Sequence, residues 1–312
     1  GGVAPAAEGA AALPPEACAS NLTELSLTDN QIQILPVEMG DLRQLKNLHL
    51  HGNMLRSPPE EIVEQGPRMV LGYLGRMFDS RSSKSLDLIG FGFKTLPLEI
   101  TNLTTLTRLS LTDNQLTQLP ARISNLHNLT DLSVVDNNLT ELPAELGRLS
   151  NLTSLSLAYN QLKALPIEVG YLMRLEELTL DGNYDIRSPP QEIIRQGLTA
   201  IMAFLRAVLK AKESGLLDLR NFGLEVLPDE VLGIEGITRL LLDENQLRSL
   251  PVETAAMTSI TALSLTKNKM TAIPPSIANY TSLTYLDLDD NGLESVLAEI
   301  GSLQRLEFLS ML

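Results

Sequence analysis

Three stretches of this chain repeat one another: LTRLSLTDN at Leu106–Asn114, LTDLSVVDN at Leu129–Asn137 and LTSLSLAYN at Leu152–Asn160. All three follow L-x-x-L-x-L-x-x-N, with Val134 standing in for one leucine. In an extended chain, residues two apart share a face. The last two apolar positions of the pattern therefore turn inward together, while the x positions beside them face solvent. Working outward, the ninth position falls at Asn30, Asn53, Phe91, Asn114, Asn137, Asn160, Asn183, Phe222, Asn245, Asn268 and Asn291. The steps between them are 23, 38, 23, 23, 23, 23, 39, 23, 23 and 23 residues. One such unit cannot bury its apolar side alone, so the period predicts a stack of units sharing one core.

Composition agrees with an array. The 312 residues are 44% hydrophobic but only 4% aromatic, with no Trp, so the core is made of aliphatic side chains. A net charge of −14 and an isoelectric point near 4.7 argue against phosphate backbones or anionic membrane surfaces as partners. Nucleic acid is thus not expected as a partner. No run of eighteen apolar residues is present, and membrane insertion is not expected. A single cysteine, Cys18, cannot form an internal disulfide, which points to the cytoplasm or another reducing intracellular compartment.

After the ninth position the units continue with Leu35-Pro36, Leu96-Pro97, Leu119-Pro120, Leu142-Pro143, Leu165-Pro166, Leu227-Pro228 and Leu250-Pro251, with Ile273-Pro274 as a variant. On these residues the chain resembles the leucine-rich repeat proteins. It is similar in particular to the intracellular Leu-Pro type with 23-residue units, found in Ras-pathway-scaffold-like and Roco-type arrays. The resemblance runs over about residues 13 to 312. It implies an α/β leucine-rich repeat solenoid, a right-handed curved horseshoe with a concave parallel sheet and turns and short helices on the convex side. It also implies that Asn30, Asn53, Asn114, Asn137, Asn160, Asn183, Asn245, Asn268 and Asn291 form a structural ladder bonding backbone groups. Residues 1–20 read as an N-terminal extension with a partial repeat, and residues 21–312 as an array of about 12 units.

Two units are longer. Ser57–Gly66 reads SPPEEIVEQG and Ser188–Gly197 reads SPPQEIIRQG, each followed by an apolar stretch with helical spacing: Met69, Tyr73, Leu74 and Met77 in one, Ile201, Phe204, Leu205 and Val208 in the other. The pattern predicts convex helical insertions at about 57–82 and 188–214, each a helix of three to four turns. Directly after them the ladder asparagine becomes Phe91 or Phe222, which suggests an apolar plug. These two positions lie 131 residues apart, so five units and one insertion form a second-order repeat. The next insertion is due where the sequence ends, and the segment reads as a window from a longer array.

Chemistry is scarce. The sequence holds no phosphate-cradling glycine loop, no nucleophile elbow and no metalloprotease helix motif, so no catalytic residue, cofactor or metal is expected. His49 and His51 share a strand face but lack a third ligand, and DLDDN at Asp287–Asn291 lacks the spaced ligands of a calcium loop. Asn-x-Ser/Thr occurs at Asn21, Asn102, Asn128, Asn138, Asn151 and Asn279, mostly where the repeat itself produces N-L-T.

What remains is the concave face. Its early strands carry small hydroxyls, such as Ser110, Ser133 and Ser156. Its later strands carry acids and aromatics. Tyr159, Glu177, Asp181, Arg239, Leu241, Asp243, Glu244, Tyr285, Asp287, Asp289, Asp290 and Phe308 are the candidate partner-binding residues, expected on one sheet. The reading is a non-enzymatic protein-protein interaction scaffold that prefers a basic protein partner. Two alternatives stay open: a regulatory or targeting arm of a larger enzyme, a Roco-type GTPase or kinase, and an architectural subunit of a large complex. The first rests on the resemblance of the two SPP segments to the unit that closes the array ahead of the GTPase module in Roco-type proteins.

Overall fold

The computed structural model describes residues 21–295 and 298–312; the 1–20 extension and Cys18 lie outside them. Each L-x-L core of the repeat becomes a strand of three residues. In chain order these are β1 (Glu24–Ser26), β2 (Asn47–His49), β3 (Ser85–Asp87), β4 (Arg108–Ser110), β5 (Asp131–Ser133), β6 (Ser154–Ser156), β7 (Glu177–Thr179), β8 (Leu216–Asp218), β9 (Arg239–Leu241), β10 (Ala262–Ser264), β11 (Tyr285–Asp287) and β12 (Phe308–Ser310). Neighbours pair in parallel at a 23-residue offset, as in Leu109 with Leu132 and Leu132 with Leu155. The pairing is divided among three sheets: β1–β2, β3–β7 and β8–β12. Two compact blocks result. One holds the described residues to Glu145 with 149–161 and 174–183, and the other holds 146–148, 162–173 and 184–312.

Within each block the inward leucines stack in columns. Leu86, Leu109, Leu132 and Leu155 form one column of the first block, and Leu217, Leu240, Leu263 and Leu286 form its counterpart in the second, all fully buried. Burying each such side chain contributes about 1.5–3 kcal/mol. From β1, β4, β5, β6, β9 and β10 the chain returns through a 3-10 turn that opens after proline, for example Ala121–Asn125 after Pro120 and Val252–Ala256 after Pro251. Proline's fixed φ suits that entry, and its missing N–H leaves nothing unpaired there.

The ladder asparagines do the work that neither sheet nor turn can do. Asn160 is buried; its Oδ1 accepts the N–H of Leu139 in the preceding unit at 3.0 Å, and its Nδ2 donates to Val134 O of that unit and to Leu157 O of its own. Asn53, Asn114, Asn137, Asn245, Asn268 and Asn291 repeat this pattern. Asn183 donates to Leu157 O and Leu180 O, while exposed Asn30 bonds the carbonyls of Leu27 and Thr28. Asn128 and Asn151, in the N-L-T runs, likewise donate to carbonyls one unit back.

The residue before each ladder position has positive φ throughout. It is Asp29, Gly52, Gly90, Asp113, Asp136, Tyr159, Gly182, Asn221, Glu244, Lys267 or Asp290. Asp, Asn and Gly tolerate this left-handed conformation, whereas Tyr159, Glu244 and Lys267 hold it at a cost of about 1–2 kcal/mol each.

Each insertion is two helices rather than one. α1 (Glu60–Glu64) and α2 (Pro67–Ser83) flank Gly66, whose φ of 94° only glycine adopts readily; α3 (Gln191–Ile194) and α4 (Leu198–Ser214) flank Gly197 at 87°. A further short helix, α5 (Asp229–Leu232), follows Pro228. α2 lies against the 3-10 turn Val37–Asp41 and against β3, with the backbones of Gly40 and Gly75 so close that a Cβ on Gly40 would overlap Gly75. Its buried face is Val70, Tyr73, Leu74, Met77 and Ser80. Val70, three and four residues before Tyr73 and Leu74, takes the inward place expected for Met69, which is half-exposed.

Phe91 and Phe222 occupy the ladder positions that follow the helices. Phe91 packs edge-on to Tyr73 of α2 at 6.1 Å and stacks on Phe93 at 5.9 Å; Phe222 packs edge-on to Phe204 of α4 at 6.0 Å. A glutamine from the insertion takes over the hydrogen bonding. Gln65 Nε2 donates to Phe91 O and Gln196 Nε2 to Phe222 O, both at 2.8 Å. The buried Tyr73 hydroxyl donates to Glu99, and burial together with that carboxylate raises its pKa well above the usual phenol range.

Two predictions follow from this architecture. Asn160→Ala strands one N–H and several carbonyls in the core and is expected to lower stability by about 2–4 kcal/mol in chemical denaturation, whereas Phe91→Asn cannot restore a ladder opposite a helix and costs a similar amount. If Phe91→Asn were neutral, the plug would have no structural role. Burial raises the pKa of Glu230, which accepts a bond from Ser188 Oγ. Its ionisation therefore opposes folding increasingly as pH rises from the ordinary glutamate value through the raised one. Glu230→Gln should make the protein more stable at neutral pH and flatten the wild-type stability profile in that window, leaving stability below pH 4 unchanged.

Candidate interaction surface

Because alternate strand residues point outward, the exposed face of the β8–β12 sheet is made of three strand columns. They are Leu216, Arg239, Ala262, Tyr285, Phe308; then Asp218, Leu241, Ser264, Asp287, Ser310; then Arg220, Asp243, Thr266, Asp289, Leu312. The left-handed turn residues Asn221, Glu244, Lys267 and Asp290 border it. Six carboxylates and three cations share this surface.

The carboxylates differ in their duties. Asp243 Oδ1 accepts from the hydroxyl of Ser264, and from the N–H and Oγ1 of Thr266, both at 2.9 Å. Asp289 repeats the arrangement two units on, accepting from Ser310 Oγ and from Leu312 N at 2.7 Å, and these donors hold its carboxyl below the usual aspartate range. Both acids are therefore staples between adjacent units. In the first block Thr112 and Ser133 make the neutral version at 2.9 Å. Asp218 is clamped by Arg220 through bonds of 2.8 and 2.6 Å, which lowers its pKa, and Glu244 is paired with Lys267 at 2.9 Å. Asp287 accepts the Tyr285 hydroxyl at 2.9 Å. Exposed Asp290 makes no side-chain bond among the described residues.

Tyr285 and Phe308 lie one above the other with ring centroids 4.5 Å apart and planes within 5°, and Phe308 is 44% exposed. Burial, and then the neighbouring Asp287, raise the Tyr285 pKa, so the phenol stays a neutral donor. At the other end of the same sheet, α4 and β8–β10 enclose a cleft of about 710 Å³ lined by Arg206, Lys210, Asp218, Arg220, Phe222 and Asp243 with smaller neighbours.

The twelve candidate residues do not belong to one sheet. Tyr159, Glu177 and Asp181 belong to the first block, and the other nine lie on the β8–β12 sheet. The expectation of a single sheet fails because the second insertion lies between β7 and β8, which do not pair. Tyr159, 60% exposed, and Glu244 and Asp290 sit at the left-handed turn rather than on strands. The first block presents instead a hydroxyl-rich floor of about 340 Å³ formed by Ser85, Ser110, Ser133, Ser154 and Ser156 with Arg108 and Asp131. Arg206, Lys210 and Phe222 were not legible as surface residues; only alignment of the two insertions would have brought them together. Among the described residues no group of three metal-ligating side chains converges, and His49 meets Glu24 at 3.5 Å.

A family model for the leucine rich repeat matches residues 127–184 and 235–293, and a second leucine rich repeat model matches 18–33 and 102–118. It is a leucine-rich repeat protein. Solved structures with similar folds include a leucine-rich repeat protein of Leptospira interrogans (26% identical, 92% of this chain and 77% of that one, TM-score 0.34). Another is the functional domain of InlJ from Listeria monocytogenes (22%, 91% and 47%, TM-score 0.29). A third is Drosophila Toll in its complex with Spatzle (22%, 87% and 33%, TM-score 0.34). The leucine-rich repeat chain thus spans most of the first but less than half of the other two. Leucine-rich repeats are in general non-enzymatic protein-interaction modules, and among the described residues no helix is long and apolar enough to cross a membrane.

The division of labour among the acids is testable. Asp243→Ala is expected to lower stability by about 1–3 kcal/mol, since it leaves the buried Ser264 hydroxyl without its acceptor. Asp290→Asn should stay within about 0.5 kcal/mol of wild type. Equal effects in thermal unfolding would rule out the staple.

Proposed function

We propose that this leucine-rich repeat protein is a non-enzymatic scaffold whose β8–β12 face binds a protein partner presenting basic side chains. The observation that carries this reading is the stacked Tyr285–Phe308 pair, apolar and partly exposed, with Asp287 bonded to it and Asp290 at the border of the same face. Large rings that lose little entropy on binding are the usual anchors of interfaces, and an aromatic face next to carboxylates favours cations twice over. Leu241 extends the apolar part, and the excess of carboxylates over cations sets the sign of the field around it. Asp243 and Asp289 contribute charge, but their bonds to neighbouring units make them poor sites for mutation.

The test is capture from the native source with the intact chain as bait, at low and high salt, alongside a Tyr285→Ser, Phe308→Ser variant. A basic protein retained at low salt, released at high salt and lost from the variant supports the reading. Undiminished capture of the same protein by a folded variant refutes it.

A further inference from the structure

The two insertions, 131 residues apart, furnish an internal comparison. In the first copy Arg76 of α2 lies across Phe91, its guanidinium carbon 5.0 Å from the ring centroid. Its Nη1 donates to Asp87 O at 2.7 Å and lies 3.6 Å from Asp87 Oδ1. That carbonyl is free for the contact because β3 is the edge of its sheet, and Leu88 rather than Asp87 bonds toward β4, through Ser110 O at 2.8 Å. Beneath Arg76, Phe91 is only 3% exposed.

The second copy keeps the receiving groups and changes the arginine. Ala207 stands where the first copy has Arg76, Asp218 where it has Asp87, and Phe222 where it has Phe91. β8 is again an edge strand whose Leu219 bonds to Leu241 O, so the Asp218 carbonyl faces the same way. Among the described residues no side chain donates to that carbonyl, and Phe222 is half-buried rather than covered. These groups line the cleft of about 710 Å³. The second copy also adds Asp243 where the first has Thr112. Asp243 Oδ1 is filled by Ser264 and Thr266, while Oδ2 takes no bond among the described residues.

The resident cations are largely committed. Arg220 clamps the Asp218 carboxylate, Arg206 Nε donates to Gly170 O at 3.0 Å, and Lys210 sits exposed at the rim. Phe222, Asp218 and Asp243 all line this cleft, and neither the Asp218 carbonyl nor Asp243 Oδ2 takes a side-chain donor among the described residues. A planar guanidinium satisfies all three, stacking on the ring while its several N–H groups reach the oxygens; a compact ammonium does this less well.

We propose that this cleft is a receptor slot for an arginine side chain of a partner protein, taking in trans the guanidinium that Arg76 supplies in cis to the first copy. The slot serves the partner-binding role argued above, but its test needs no partner. N-acetyl-arginine amide and its uncharged citrulline counterpart are titrated into the intact chain and followed by amide NMR shifts. Wild type should show saturable shifts confined to α4 and β8–β10 for the arginine compound, with citrulline at least about tenfold weaker. Ala207→Arg, which rebuilds the first copy's arrangement, should abolish them. Ala207→Gln fills the same space without charge and should do likewise if the arginine variant folds poorly, while Tyr285→Ser, Phe308→Ser should leave them intact. Equal response to arginine and citrulline, or arginine binding unchanged in folded Ala207→Arg or Ala207→Gln, overturns the proposal.

Discussion

A single side-chain amide holds successive units in register. Buried ladder asparagines accept N–H groups from the unit before and donate to carbonyls of both units, as Asn160 does with Leu139, Val134 and Leu157. Without it, the turn leaving every strand would bury backbone groups that no sheet bond reaches, at about 1–3 kcal/mol for each unmet group. Asparagine suits this role because one compact side chain carries both an acceptor and a pair of donors. The left-handed residue just before it turns the chain so that the amide points inward, which is why Asp, Asn and Gly predominate there.

Where an insertion interrupts the stack, the ladder residue faces a helix instead of a strand, and an amide would find no partners. The chain substitutes at both places in the same way: phenylalanine for packing, and a glutamine just ahead of the intervening glycine for the lost bond. Polar satisfaction and apolar filling, combined in one residue elsewhere, are here divided between two residues 26 positions apart.

The repeat, its parallel strands and its inward leucines were legible in the sequence because a fixed spacing maps directly onto a fixed direction of each side chain. The candidate surface was legible only in part. Solvent-facing positions were identified, but not whether an acid there was idle. Asp243 and Asp289 looked free because their partners, Ser264 and Ser310, lie 21 residues away on the next strand, a relation that within-unit reading does not contain. The break between β7 and β8, which separates Tyr159, Glu177 and Asp181 from the remaining candidates, depends on how the helices pack, and helical periodicity gave their presence without their docking. Gly66 and Gly197 divide each insertion in two through a positive φ, which the helical spacing of the apolar residues does not encode.

The change from hydrogen-bonded stacking to aromatic packing at Phe91 also bears on how damage spreads. Within β3–β7 every unit is tied to the next by strand bonds and an amide bridge, so a fault in one is felt by its neighbours. Between β2 and β3 both kinds of tie are absent, and coupling passes through α2, whose contacts are less directional and tolerate small shifts. The insertion thus works as a firebreak. Substitutions that loosen β1–β2 can be absorbed at the helix before they reach the longer sheet, which leaves the outward faces on either side freer to diverge by mutation without a shared loss of order.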